Sequence, residues 1–392
     1  MKKKAIIIIP TYNEKENVKK LLPILLEVFK KIPKYKMEIL FVDDTSPDKT
    51  YQVIQKEQKQ YSNIHLVLNR KKAGLGGAYL KGMKYAFVKL KADVVFEFDA
   101  DFSHDPKKIP FFLEAIDKGA DFVLGSRYIK GGSIPQNWGW HRKFLSIVGN
   151  RMIMLVLGNF KIKDWTTGYR AITKKVYDQV GKEMNNERFF GYTFQIGFLH
   201  KAVRKKFKIV EVPFHFVDRE LGHSKLGPEY IKNTLLYIFK VRLIEFLNWR
   251  IFKFLVVGGI GALVQFTTLY LYRQIWIDNE LLLIPFSLSV ESAVIANFIL
   301  SSLWTFSDRK LSYKKIPLKF FQFNLASSGS IIIQLAVAFL GKEIIGIYNL
   351  FILSLPYLDI NVDTPMFFAT VGILFGLFWN FFAYNKFIWK KS

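Results

Sequence analysis

Two carboxylates one residue apart, Asp99 and Asp101, follow an apolar run at residues 94–98 in the segment Glu97-Phe98-Asp99-Ala100-Asp101-Phe102-Ser103-His104. Such a run reads as a buried strand, and strand exits are where open α/β sheets bind their ligands. Two acids so spaced on a turn can face one point, a geometry that suits a hard divalent cation bridging phosphate oxygens. The same triplet also ends many strands as an ordinary turn, so the rest of the chain has to decide between the two.

The elements before and after it supply more charge at the same kind of place. Residues 5–9 form a buried-type strand that runs into Pro10-Thr11-Tyr12-Asn13-Glu14, and an amphipathic helix follows to about residue 29. Residues 38–42 form a second strand ending in Asp43-Asp44-Thr45-Ser46-Pro47-Asp48, with a helix over 50–61 and a third strand over 64–68. Gly74-Leu75-Gly76-Gly77-Ala78 then opens a helix. It is not a P-loop, because no Gly-Lys-Ser/Thr follows at the required spacing, and a close-packed helix start is its expected use. A fifth strand, 121–125, leads into Ser126-Arg127-Tyr128. Strands alternating with helices predict an α/β fold with a doubly wound, largely parallel sheet, which brings Asp43, Asp44, Asp99, Asp101 and Arg127 to one edge. Converging acids beside an arginine fit a metal-bound diphosphate better than scattered surface turns do.

Composition narrows the partners. The chain has 392 residues, no cysteine and a net charge of +25. Disulfides and thiolate metal sites are therefore excluded, and anionic partners are expected. The apolar start at residues 5–10 is too short for a secretory signal. Beyond Arg250 four stretches, 252–272, 282–306, 320–340 and 366–388, each reach the roughly 20 residues that cross a bilayer as helix. The chain thus reads as a soluble domain over 1–228, the candidate catalytic domain, an amphipathic interface helix or linker over 229–250, and an all-α four-helix transmembrane domain over 251–392. Arg250, Lys253, the basic connector 307–319 and Lys386, Lys390 and Lys391 predict that the catalytic domain and both termini are cytoplasmic. Glu291, Asn297 and Asn380 are too polar for lipid and are expected to face other helices. Because the basic residues flank membrane segments, nucleic acid is set aside as a partner.

Pro10-Thr11-Tyr12-Asn13-Glu14, Asp43-Asp44-Thr45-Ser46-Pro47-Asp48, Asp99-Ala100-Asp101 and Gly125-Ser126-Arg127-Tyr128 resemble the nucleotide-sugar-binding series of family 2 glycosyltransferases with a glycosyltransferase A-type, Rossmann-like fold. Within that family they are most similar to polyprenyl-phosphate glycosyltransferases of the dolichyl-phosphate mannose synthase type. The runs 254–261 and Ala296-Asn297-Phe298, with Trp304-Thr305-Phe306, resemble the GtrA-like membrane domain.

The resemblance implies that Pro10, Tyr12, Glu14, Asp43, Asp44, Asp99 and Ala100 bind the nucleotide, and that Asp99 and Asp101 carry Mg²⁺ or Mn²⁺. Ser103 stands where many relatives place a glutamine as third ligand. Asp164-Trp165-Thr166-Thr167-Gly168-Tyr169-Arg170 resembles the acceptor-side motif, whose acid lies near the sugar, and Arg219-Glu220-Leu221-Gly222-His223-Ser224-Lys225 matches a loop able to close over the donor phosphates. Asp101, Arg127, Arg142, Arg219 and Lys225 form the implied catalytic set. Arg127, Arg142, Ser146, Arg219 and Ser224 would receive the acceptor phosphate.

The basic, aromatic segment 138–143 leading into the apolar stretch 144–157 suggests a helix lying at the headgroup boundary, and 230–249 suggests a second. The expected reaction moves a hexose, mannose from GDP-mannose first and glucose from UDP-glucose second, onto a polyprenyl (dolichyl) phosphate, with metal and with inversion. Membrane lipids are expected partners, and a homo-oligomer is left open. A processive polysaccharide synthase would carry Gln-x-x-Arg-Trp, which is absent. A lipid-linked sugar flippase with an inactive head is disfavoured by the intact acidic series.

Overall fold

The computed structural model describes residues 2–70, 74–184, 193–218, 228–275, 283–309, 311–346, 348–355 and 358–389. The chain divides into two compact units, Met1–Arg242 and Leu243–Ser392.

In the first unit the elements run β1 (Lys3–Thr11), α1 (Lys15–Lys30), β2 (Tyr35–Asp43), α2 (Thr50–Gln60), β3 (Ile64–Leu68), α3 (Gly74–Lys84), β4 (Val94–Glu97), α4 (Ile109–Asp117) and β5 (Phe122–Ser126). They continue with α5 (Trp140–Leu157), β6 (Arg170–Thr173), the short α6 (Lys174–Val176) and α7 (Lys182–Met184), α8 (Thr193–Arg204), β7 (Ile209–Pro213) and α9 (Pro228–Leu247), whose last turn falls beyond the unit's end at Arg242. The sheet order is β3-β2-β1-β4-β6-β5-β7. Only β6 runs antiparallel to its neighbours β4 and β5. The largely parallel sheet is as expected, and β6 is an addition to it.

The continuous apolar runs of β1 and β2 are strands because both faces of the sheet are covered. Ile7 and Ile9 point to one side, where Leu21 and Leu25 of α1 and Phe112 of α4 close over them. Ile6 and Ile8 point to the other, against Met83 of α3, Ile153 of α5 and Phe198 of α8. The approach of α3 is close: a Cβ on Gly82 would lie 2.6 Å from Ile8 Cγ2. That fixes α3, and every side chain on it, relative to the exits of β1 and β4.

The second unit holds α10 (Arg250–Ile275), α11 (Leu283–Leu300), α12 (Ile316–Ile344), β8 (Asn349–Leu355), β9 (Leu358–Asp363) and α13 (Thr364–Ala383). Helix α10 packs on α11, and α12 on α13. Four segments are long and apolar enough to cross a membrane: Arg250–Tyr272, Leu288–Thr305, Tyr313–Ile344 and Val371–Ile388. The four-helix expectation holds, with the third span longer than expected. The hairpin of β8 and β9 was not foreseen, since its stretch reads only as a connector poor in basic residues. Gly261 makes room for Asn297, whose Oδ1 would lie 2.3 Å from a Cβ there. Glu291 corrects the expectation that it faces other helices: it is exposed on α11.

Candidate active site

Thr11 and Asp43 are register partners at the ends of β1 and β2. The Thr11 hydroxyl donates to Asp43 Oδ2 at 2.8 Å, while the Ser46 N–H and hydroxyl donate to the same carboxylate at 2.8 and 2.7 Å. Asp43 is fully buried and ties two strand ends together. Its neighbour Asp44 is part-exposed and accepts from Asn69 Nδ2 at 2.6 Å. Lys81 holds the Asn69 Oδ1, and because an ammonium only donates, the amide must turn its NH₂ to Asp44.

Pro10, Tyr12 and Glu14 stand part-exposed at the same edge, with Glu14 Oε2 accepting from Asn17 at 2.6 Å. The methyl of Ala100 lies in the core under α1 and α4, which leaves its backbone at the strand exit.

The exit of β4 carries the acids from which the reading began. Asp99 Oδ1 accepts from the Tyr79 hydroxyl on α3 at 2.8 Å, and the Asp99 N–H donates to His104 Nδ1 at 3.0 Å. Phe102 takes a left-handed conformation, φ 63°, which folds the chain back so that His104 reaches Asp99. His104 is buried and stacked on Tyr169 at 4.8 Å. Burial holds its imidazole below the ordinary value, so the ring is neutral and carries its proton on Nε2, 3.8 Å from Asp99 Oδ2. Asp101 Oδ1 accepts from the Ser103 N–H at 3.1 Å, and Ser103 itself is buried.

Hard carboxylate oxygens at a strand exit fit a divalent cation by chemistry. Among the described residues no group of three or more acids or imidazoles gathers to hold one alone, so the remaining ligands would come from diphosphate and water. Tyr79, His104 and Asn69 went unremarked in the sequence. Only the Asp-x-Asp-x-x-His spacing hinted at one of them.

On the other side of β6 the arginines are themselves held. Arg127 is 7% exposed, and its Nε and Nη2 donate to the fully buried Asp164 at 2.7 Å each, with Nη2 also 2.8 Å from the Thr166 hydroxyl. That pairing holds Arg127 and Asp164 against each other inside the protein. Arg170 donates to the carbonyls of Thr167 and Gln195 at 2.8 Å each and of Trp165 at 3.4 Å. It lies 3.7 Å from Glu97, and both are fully buried. Burial pushes the Glu97 carboxyl up to about 7 despite that arginine.

Arg142 lies at the start of α5 and donates to Asp218 at 2.9 and 3.2 Å. Ser146, one turn on, shares a 2.5 Å hydrogen bond with the Tyr128 hydroxyl. Arg219, Ser224 and Lys225 lie outside the described residues.

The model of the family described as "Glycosyl transferase family 2" matches residues 6–181, and that described as "GtrA/DPMS, transmembrane domain" matches residues 253–389. The chain is 36% identical over 306 residues to the dolichol-phosphate mannosyltransferase of Pyrococcus furiosus, covering 78% of this chain and 82% of that one. It is 38% identical over 237 residues to the polyprenol monophosphomannose synthase of Mycolicibacterium smegmatis, covering 60% and 85%. With the undecaprenyl-phosphate mannosyltransferase of Micrococcus luteus it shares 36% identity over 224 residues, covering 57% and 88%. An acid-lined sheet edge, four membrane-length helices, family models matching each half and a relative aligned over 306 residues place this chain among the polyprenyl-phosphate glycosyltransferases of the dolichyl-phosphate mannose synthase type, a family 2 catalytic domain joined to a GtrA-like membrane domain.

Proposed function

We propose that this enzyme transfers mannose from GDP-mannose to the phosphate of a polyprenol of the dolichyl class, with inversion at the anomeric carbon. The observation that carries the reading is the charge layout around β4 and β6: the part-exposed Asp44 and Asp99 with the buried Asp101 beside them on one side, and the solvent-reached Arg142 on the other. The first set suits a nucleotide diphosphate with its cation, the second a phosphate that arrives separately. The names carried by the three relatives above support mannose as the sugar.

A phosphate monoester has its second pKa near 6, so the acceptor is already a nucleophile at neutral pH and needs no strong general base. An acceptor oxygen displaces the nucleoside diphosphate from the anomeric carbon, and the chain's work is alignment. Asp44, with Pro10, Tyr12 and Glu14, holds the nucleoside. Asp99 and Asp101 would hold Mg²⁺ or Mn²⁺, whose chemistry there is to offset the charge of the departing diphosphate. Lys225 would add to that charge, and Arg142, with Ser146, Arg219 and Ser224, orients the acceptor. Arg127 supports the acceptor side from beneath.

Exposed apolar side chains on α5, Trp140 at 79% and Leu155 at 69%, and on α9, Leu236 at 59%, support these two helices as the parts of the catalytic domain that meet lipid, with 229–250 as the linker. Basic residues at the membrane-span ends support a cytoplasmic catalytic domain.

The test is to incubate the purified full-length enzyme with short polyprenyl phosphates and a panel of GDP- and UDP-hexoses, and to weigh the lipid products. A product heavier by one hexose from GDP-mannose alone is expected. Product from UDP-glucose alone would replace the donor assignment, and sugar-lipid formation from no donor would end the reading.

A further inference from the structure

Three arginine–carboxylate pairs have been described in the catalytic unit, and solvent reaches one of them. Arg127–Asp164 and Arg170–Glu97 are enclosed, whereas the side chains of Arg142 and Asp218 are 34% and 32% exposed. The Asp218 carboxylate sits in a niche built for an anion. Arg142 Nη1 and Nη2 donate to it at 2.9 and 3.2 Å, Trp138 Nε1 donates at 3.1 Å, and the guanidinium carbon lies 3.9 Å from the centre of the Trp138 ring. That contact restrains the fork, whose paired N–H groups suit carboxylate and phosphate alike.

We infer that Asp218 is a resident competitor for the acceptor-phosphate niche, and that it selects a phosphate monoester over the phosphodiester headgroups of the surrounding lipid. The inference rests on the acceptor-side reading of Arg142. A phosphodiester carries a single negative charge. Exchanging a tethered carboxylate for a free anion of equal charge gains no Coulomb energy and gives up the advantage of the tether. A monoester near neutral pH carries a charge of about −1.5 to −2, so it gains attraction to the fork on replacing Asp218. Because the carboxylate is already part-hydrated, its release into water costs little. In a membrane enzyme whose acceptor is diluted among phospholipids, discrimination by such a built-in rival is worth more than raw affinity.

The experiment compares the full-length enzyme with Asp218→Asn, Asp218→Glu, Arg142→Ala and Arg142→Ala/Asp218→Asn in detergent–phosphatidylcholine micelles. Two quantities are read: the KM for a short polyprenyl phosphate, and inhibition by added phosphatidylglycerol, a monoanionic phosphodiester. Asp218→Asn should lower the acceptor KM several-fold, up to about tenfold, and make the enzyme sensitive to phosphatidylglycerol, with the nucleotide-sugar KM unchanged. Asp218→Glu should keep the parent's resistance, and in the Arg142→Ala background the Asn substitution should change neither quantity. An acceptor KM that rises or stays the same in Asp218→Asn, or inhibition no greater than the parent's, makes Asp218 a brace for Arg142 and overturns the inference alone. A parent-like acceptor KM in Arg142→Ala overturns the acceptor-side reading and the inference with it.

Discussion

At the sheet edge, the described donors to Asp44, Asp99 and Asp101 are an amide, a phenol and a backbone N–H, none of them charged. Across β6, Arg127, Arg142 and Arg170 each face a carboxylate. A neutral donor orients an acid without itself cancelling the acid's charge. An arginine matched to an acid presents little net field until something displaces or outcompetes that acid. The described contacts thus differ in kind on the two sides: neutral donors reach the acids, and carboxylates reach the arginines.

The largest break in this comparison comes from removing charge while keeping shape at the acidic edge. Asp101→Asn should cut transfer by at least about a hundred- to a thousandfold, the order expected when one preorganised electrostatic partner is lost, with thermal unfolding little changed. A chelator should silence the parent in the same assay. Parent-like turnover of this variant at ordinary metal concentration would show that the charge at Asp101 is not used.

A smaller effect separates the enclosed from the exposed arginine pair. Asp164→Asn leaves Arg127 buried without its counterion, a change that costs about 3–5 kcal/mol. The same change at the part-exposed Asp218 should cost under about 1 kcal/mol. Thermal unfolding of both variants in detergent reads the contrast. Equal shifts would mean that enclosure does not distinguish the two pairs.

The smallest is a pH dependence at Glu97, the acid behind Arg170. Its carboxyl is raised from 4.5 to about 7 in the folded chain, so between those values the folded state holds a proton that the unfolded state has released. Stability contributed at this site therefore falls as pH rises through that window. Glu97→Gln carries no such proton, and its melting temperature relative to the parent should climb from pH 5 to pH 8 without added divalent ions. A constant difference would place the group's titration outside the window.

How much of this was legible in the sequence follows from which features are local. The acids at 43–44 and 99–101 are found because the apolar runs before them set where strands end. Successive strand residues point to opposite faces, so adjacent Asp43 and Asp44 cannot both look outward. Which one does is settled by Thr11, a partner in another strand. Tyr79, Asn69 and Asp164 matter through partners 20, 25 and 37 residues away, a relation no spacing displays. Strand β6 escaped notice because it is four residues long and opens on a charged one, Arg170, whose burial depends on carbonyls gathered from other segments. The membrane helices were plain, since an apolar run of about 20 residues has few other uses. Their ends were not, because Lys314, Lys315 and Lys319 head the third helical span without breaking it.

That third span has a mechanical consequence for the bilayer. At 32 residues and about 1.5 Å per residue it is roughly 48 Å long, against a hydrocarbon thickness of about 30 Å. A helix of that length cannot stand upright within one slab of lipid. It must lean, or carry its ends, with Lys314, Lys315 and Lys319 at one and Lys342 and Glu343 at the other, out to the headgroups, and α13, packed along it, is bound to follow its tilt.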